Sequence, residues 1–112
     1  MKTSEIKFTI GLDSDKIPET IIWEATDSQN PEPQACKSIM ISVWDHEFKN
    51  TLKIDLWTKD MPVDEMKQFF YETLLTMSDS FEKATGEKAI MDDLKDYCAH
   101  FSEKMQLKMS HS

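Results

Sequence analysis

Two stretches, Ser38 to Asp45 and Thr51 to Thr58, place apolar side chains at every second position and run through Lys59-Asp60-Met61-Pro62 into the longest amphipathic segment of the chain. Period two marks a strand with one buried face. Ile39, Ile41 and Val43 point one way, and so do Leu52, Ile54 and Leu56. With His46-Glu47-Phe48-Lys49 as the loop, antiparallel pairing sets Val43 opposite Leu52, Ile41 opposite Ile54 and Ile39 opposite Leu56. A one-residue slip would turn one set outward, so the register is well specified. The other face reads Ser38, Met40, Ser42, Trp44 against Thr51, Lys53, Asp55, Trp57, polar except for three large side chains.

Pro62 suits the first turn of a helix, and Asp64 and Glu65 place negative charge at its positive end. Val63, Met66, Phe70, Leu74, Met77, Phe81 and Ala84 then recur at spacings of three and four, predicting a helix over 62–85 with Gly86 as its left-handed stop. Ile90, Leu94, Tyr97, Cys98, Phe101 and Met105 predict a second helix over about 88–108, ending near Met109. Upstream, Ile6, Phe8, Ile10 and Leu12 alternate with small or polar residues. Asp13-Ser14-Asp15-Lys16 reads as a turn, and Ile21, Trp23 and Ala25 share the face of a following strand. Residues 26–35 hold no large apolar side chain and read as an exposed connection.

The expected fold is therefore α+β, a single domain over residues 1–112. Strands at about 5–12, 19–26, 37–45 and 51–58 form one four-stranded antiparallel sheet of two hairpins, and two long antiparallel helices pack on one face of it. A hydrophobic content of 39% suffices for one core. Helices of about 22 residues reach ~33 Å, whereas strands of about seven span only ~23 Å. The overhanging apolar residues need another surface, which makes a homo-oligomer, dimer or tetramer, the expectation.

The net charge is −8, and all 13 cationic residues are lysine. Nucleic acid and anionic membranes both require clustered positive charge, so neither is an expected partner. Without arginine, bidentate recognition of phosphate or guanine edges is also absent. No apolar run resembles a secretory leader or a bilayer span, which points to a cytoplasmic protein without membrane insertion. Cys36 and Cys98 read as two reduced thiols.

No motif names a reaction. Asp13-Ser14-Asp15 with Glu24 touches the calcium-loop pattern, but Ile17 replaces an oxygen ligand and Pro18 stands where glycine makes the turn. Asp92, Asp96 and His100 line one helical stripe with lysines nearby, the pattern of a solvated face. His100 points about 200° away from Cys98 on a regular helix, so the two cannot act as base and nucleophile. Gly11 and Gly86 are the only glycines, too few for a phosphate-cradling loop. No catalytic residue, metal ligand or cofactor is assigned, and the chain reads as a non-enzyme. The methionines, Met61, Met66, Met77, Met91, Met105 and Met109 among them, read as core filling. Met40, Trp44 and Trp57 on the outward face, with Phe48 in the loop, are the candidate partner-binding residues, since tryptophan and methionine are favoured at interfaces. Met40 is diagonal to Trp57, and Trp44 lies with Phe48 at the loop end.

The string Ser42-Val43-Trp44-Asp45-His46, continued by residues Thr51 to Lys67, resembles the GldC family of gliding-motility-associated proteins, as does Leu12-Asp13 followed by Ile17-Pro18-Glu19 and Ile22-Trp23. The resemblance spans nearly the whole chain. It implies a cytoplasmic accessory protein of the gliding machinery of Bacteroidota, partnered by a protein of that machinery or of export, with no catalytic residues to transfer. Four antiparallel strands followed by two helices is also similar to the element order of the export chaperone SecB, an analogy of fold alone. It makes client holding the alternative function, with a small-ligand or metal-binding module as a second alternative.

Overall fold

A computed structural model of the chain describes residues 1–107. The chain forms two compact units, one of strands ending at Met61 and one of helices from Pro62 onward.

In the strand unit, β1 (Ile6–Leu12) pairs antiparallel with β2 (Pro18–Ala25), setting Phe8 opposite Trp23 and Ile10 opposite Ile21. Asp13 makes the turn between them. Its Oδ1 accepts from the N–H groups of Asp15 (2.8 Å) and Ile17 (3.0 Å), and Lys16 takes a left-handed φ of 63°. Gly11 lies opposite Thr20, and a Cβ there would collide with the threonine Oγ1. The register shifts between Gly11 and Leu12, next to this tight contact.

The single four-stranded sheet expected from the sequence is replaced by two sheets, of three strands and of two. A short strand, β3 (Gln34–Cys36), falls within and just beyond the segment expected to be only a connection, and it pairs with β2. Next come β4 (Ser38–Trp44) and β5 (Thr51–Trp57), which pair with each other. Only Lys37 separates β3 from β4. The extended chain therefore changes partner at that residue, and its carbonyl accepts from the Thr58 N–H at 2.8 Å, where the β5 ladder takes over. The Pro18 carbonyl accepts from the Lys59 N–H at 3.0 Å.

The β4–β5 register is the expected one, with Val43 opposite Leu52, Ile41 opposite Ile54 and Ile39 opposite Leu56. The Asp45 N–H donates to the Asn50 carbonyl (2.9 Å), and Asp45 Oδ2 accepts from the N–H of Glu47 (3.1 Å) and of Phe48 (2.6 Å), fixing the four-residue loop. Ile21 and Ile39 are the buried apolar side chains of this unit.

In the helical unit, α1 (Val63–Thr85) follows Pro62, and Gly86 closes it at φ 74°, its N–H donating to Glu82 O at 2.7 Å. The second helix, α2 (Lys88–Met105), ends sooner than expected. Gln106 adopts a left-handed φ of 55°, and the Leu107 N–H returns to Ser102 O at 2.9 Å. Lys108 and Met109, placed at the helix end by the sequence reading, lie outside the described residues.

The side chains that α1 and α2 bury also differ from the expected stripes. Tyr71 and Ser78 are buried on α1, and Met91, Cys98 and Ser102 on α2, whereas Phe70, Met77, Phe81, Ile90 and Tyr97 are exposed. Small side chains at Ser78, Cys98 and Ser102 permit close helix approach, and spacings of seven from Tyr71 to Ser78 and from Met91 to Cys98 keep one seam in register. Lys95 Nζ reaches Asp79 Oδ1 across the seam at 2.9 Å. Of the described methionines expected to fill the core, Met91 is buried while Met77 and Met105 are exposed.

Candidate protein-contact surface

The β4–β5 hairpin carries apolar side chains on both faces. On one face burial falls steadily along β4, from Ile39 at 8% exposure through half-buried Ile41 to Val43 at 50%. The other face holds three of the four residues singled out from the sequence. Met40 is half-buried opposite Asp55, Trp57 is 54% exposed opposite Ser38, and Trp44 is 68% exposed opposite Thr51. Phe48 is exposed in the loop. Met40 and Trp57 share one end of the hairpin and Trp44 and Phe48 the other. The two tryptophans are six positions apart along the ladder, roughly 20 Å.

The ladder also decides which backbone groups are free. The hydrogen bonds Asp45 N–H to Asn50 O and Thr58 N–H to Lys37 O fix its phase, because hydrogen-bonded pairs alternate with non-bonded ones. Leu52, Ile54 and Leu56 therefore turn their N–H and C=O groups toward β4. Thr51, Lys53, Asp55 and Trp57 turn theirs outward, and β5 has no strand on that side among the described residues. The sequence places Lys53 and Asp55 on this face without a role for either, although they flank Ile54 in the order Leu-Lys-Ile-Asp-Leu. Their side chains pair at 3.2 Å within the strand, and Lys53 Nζ also donates to Ser42 Oγ at 3.4 Å.

Several titratable groups elsewhere are engaged in structure. The Asp13 carboxyl is held below its ordinary range by the Ile17 N–H first and then by Lys59, whose ammonium is raised chiefly by its hydrogen bond to Asp13. Asp60 is lowered chiefly by the Thr58 hydroxyl at 2.6 Å. Burial pushes both the Cys36 and Cys98 thiols upward, the opposite of an activated nucleophile. On α2, Asp92 is bound by Lys88 at 3.0 Å, and the His100 ring lies 6.1 Å from that of Tyr97. No three His, Cys, Asp or Glu side chains among the described residues converge as a metal site. An open depression of about 510 Å³ at the end of α1, lined by Asp79, Ser80, Glu82, Lys83 and Gly86, holds no nucleophile paired with a base. No helix among the described residues is long and apolar enough to cross a membrane.

A family model described as gliding motility-associated protein GldC-like matches residues 18–107. The chain belongs to the GldC-like family. No curated protein and no solved structure matches it. In this GldC-like protein the matched residues run from β2 to the end of the described chain, so the whole β4–β5 hairpin lies within them. The GldC-like assignment makes it a gliding-motility-associated protein.

Proposed function

We propose that this GldC-like protein is a non-enzymatic, cytoplasmic accessory protein of gliding motility that acts through protein contacts and works as a homo-oligomer. The outward hairpin face of Met40, Trp44 and Trp57, with Phe48 beside it, takes a protein partner of the gliding or export machinery. One observation carries this reading. The hairpin contributes Ile39 to the core from one face, yet its opposite face presents two tryptophans more than half exposed. Folding has no use for a second apolar face on a two-stranded ladder, whereas contact surfaces are enriched in tryptophan and methionine. A tryptophan seated in a partner typically costs 2 kcal/mol or more on truncation, about 30-fold in affinity.

Replacing both Trp44 and Trp57 by glutamate tests it. The variant keeps the circular dichroism spectrum of the wild type and fails to restore gliding to cells lacking the gene. Gliding at the wild-type level with the doubly substituted protein overturns the assignment.

A further inference from the structure

We infer that the outer edge of β5 takes a second copy of the same strand, antiparallel about a two-fold axis through Ile54, so that Lys53 of each chain pairs with Asp55 of its partner. The inference deepens the proposed function and rests on its reading of the hairpin as a contact element.

Two properties of β5 select this pairing, and a third feature follows from it. The first is the phase of the ladder. Thr51, Lys53, Asp55 and Trp57 present free N–H and C=O groups outward, so only a partner strand whose own odd-numbered residues face back can bond them. About an axis at Ile54, Lys53 meets the partner's Asp55 and Thr51 meets the partner's Trp57. Odd faces odd throughout, and each such pair exchanges both of its main-chain bonds.

Charge is the second. The sequence Thr-Leu-Lys-Ile-Asp-Leu-Trp is nearly symmetric in polarity about Ile54 and antisymmetric in charge. The two neighbouring registers of allowed phase put the axis at Lys53 or at Asp55, and each sets like charges directly opposite one another, which is destabilising. A lysine on an edge ordinarily repels stray strands. Here each lysine, already 3.2 Å from Asp55 of its own strand, faces the partner's Asp55 as well. The free part of the β4 edge, with Met40, Ser42 and Trp44, has no charge and selects no register.

The third is the side-chain layout that results. Leu52 meets the partner's Leu56, and Ile54 meets its own copy, in non-hydrogen-bonded pairs whose Cα atoms approach to about 4.5 Å. The exposed apolar face of one hairpin becomes a face twice as wide. On the other face, Trp44, Thr51 and the partner's Trp57 fall on one rung. The two indoles then stand two strand spacings apart, ~9.6 Å, over a small threonine, instead of roughly 20 Å apart within one chain. The surface assigned to a protein partner is thus completed only when two copies join.

Charge reversal provides the test, read by light scattering coupled to size exclusion on the full chain. The wild type gives a species containing paired chains, at least twice the 13.1 kDa chain mass. Lys53→Asp and Asp55→Lys each oppose like charges across the axis and run as smaller species. An equimolar mixture of the two variants recovers the wild-type mass, because each then supplies the charge that the other lost, and the Lys53→Asp/Asp55→Lys double variant recovers it alone. A monomeric wild type, or single variants that keep the wild-type mass, or a mixture that does not reassociate, overturns the pairing. Full assembly of the charge variants together with loss of gliding in the tryptophan variant sinks the edge pairing and spares the proposed function. Gliding unaffected by the tryptophan substitutions sinks the proposed function instead.

Discussion

Lys59 Nζ stands 3.1 Å from Asp13 Oδ2 and 3.7 Å from Glu19 Oε1, joining the residue just past the hairpin to the turn between β1 and β2. The pair is reinforced by the main-chain bond from Lys59 N–H to Pro18 O, so the end of β5 is held to the start of β2 by two kinds of contact.

This pair sets a pH window. A carboxyl whose value is depressed on folding stabilises fully above its unfolded value and loses that contribution as pH falls through its folded value. The raised Lys59 ammonium stabilises fully below its unfolded value and loses its contribution as pH rises through its folded value. Asp13→Asn keeps the turn acceptor and removes the charge. Its melting temperature falls modestly below that of the wild type near neutral pH; the gap closes as pH falls through the lowered Asp13 value and narrows without closing as Lys59 deprotonates at high pH, because the Ile17 N–H still favours the carboxylate. Thermal melts of both proteins across pH check this, and a gap that is independent of pH would contradict it.

Gly86 closes α1 at φ 74° with open space around its Cα. Gly86→Ala meets no steric neighbour, so its effect is the backbone cost of a left-handed residue, about 1–2 kcal/mol. Asparagine at the same position costs less. Urea unfolding of the three proteins ranks them glycine, asparagine, alanine.

Cys98 is fully buried in the helix seam and Cys36 only partly covered on β3. In native protein a thiol reagent labels Cys36 and leaves Cys98 untouched until denaturant is added. Equal native labelling rates would show that the α1–α2 seam opens readily.

Ile21 is 1% exposed at the centre of the three-stranded sheet. Ile21→Ala leaves a cavity and costs about 2–5 kcal/mol, read from the urea midpoint. A loss below ~1 kcal/mol would place the core elsewhere.

The β4–β5 hairpin was legible in the sequence because strict alternation over seven residues on each strand admits one register. β3 was not, because Gln-Ala-Cys has no alternation of its own and follows a segment with two prolines. Its pairing is decided by β2, which the local sequence does not contain. The helix seam was misread for a different reason. Summed hydrophobicity favours the stripe through Phe70, Met77 and Phe81, whereas close packing selects the small side chains Ser78, Cys98 and Ser102. The end of α2 was missed because glutamine, not glycine, takes the left-handed cap. Of the surface residues, the tryptophans announced themselves by size. Lys53 and Asp55 gain meaning only once the ladder phase shows their backbone groups facing outward.

Amide hydrogen exchange along β5, residue by residue, tests the central claim most directly. Ile54 and Leu56 bond to β4 in any state of assembly, so their protection reports the hairpin alone. Pairing of two copies predicts that the Lys53 and Asp55 amides are protected as strongly as that of Ile54, and that Lys53→Asp removes the protection at Asp55 while leaving Ile54 slow. Fast exchange at residues 53 and 55 in the wild type, beside a slow Ile54, would show a bare edge and contradict the account.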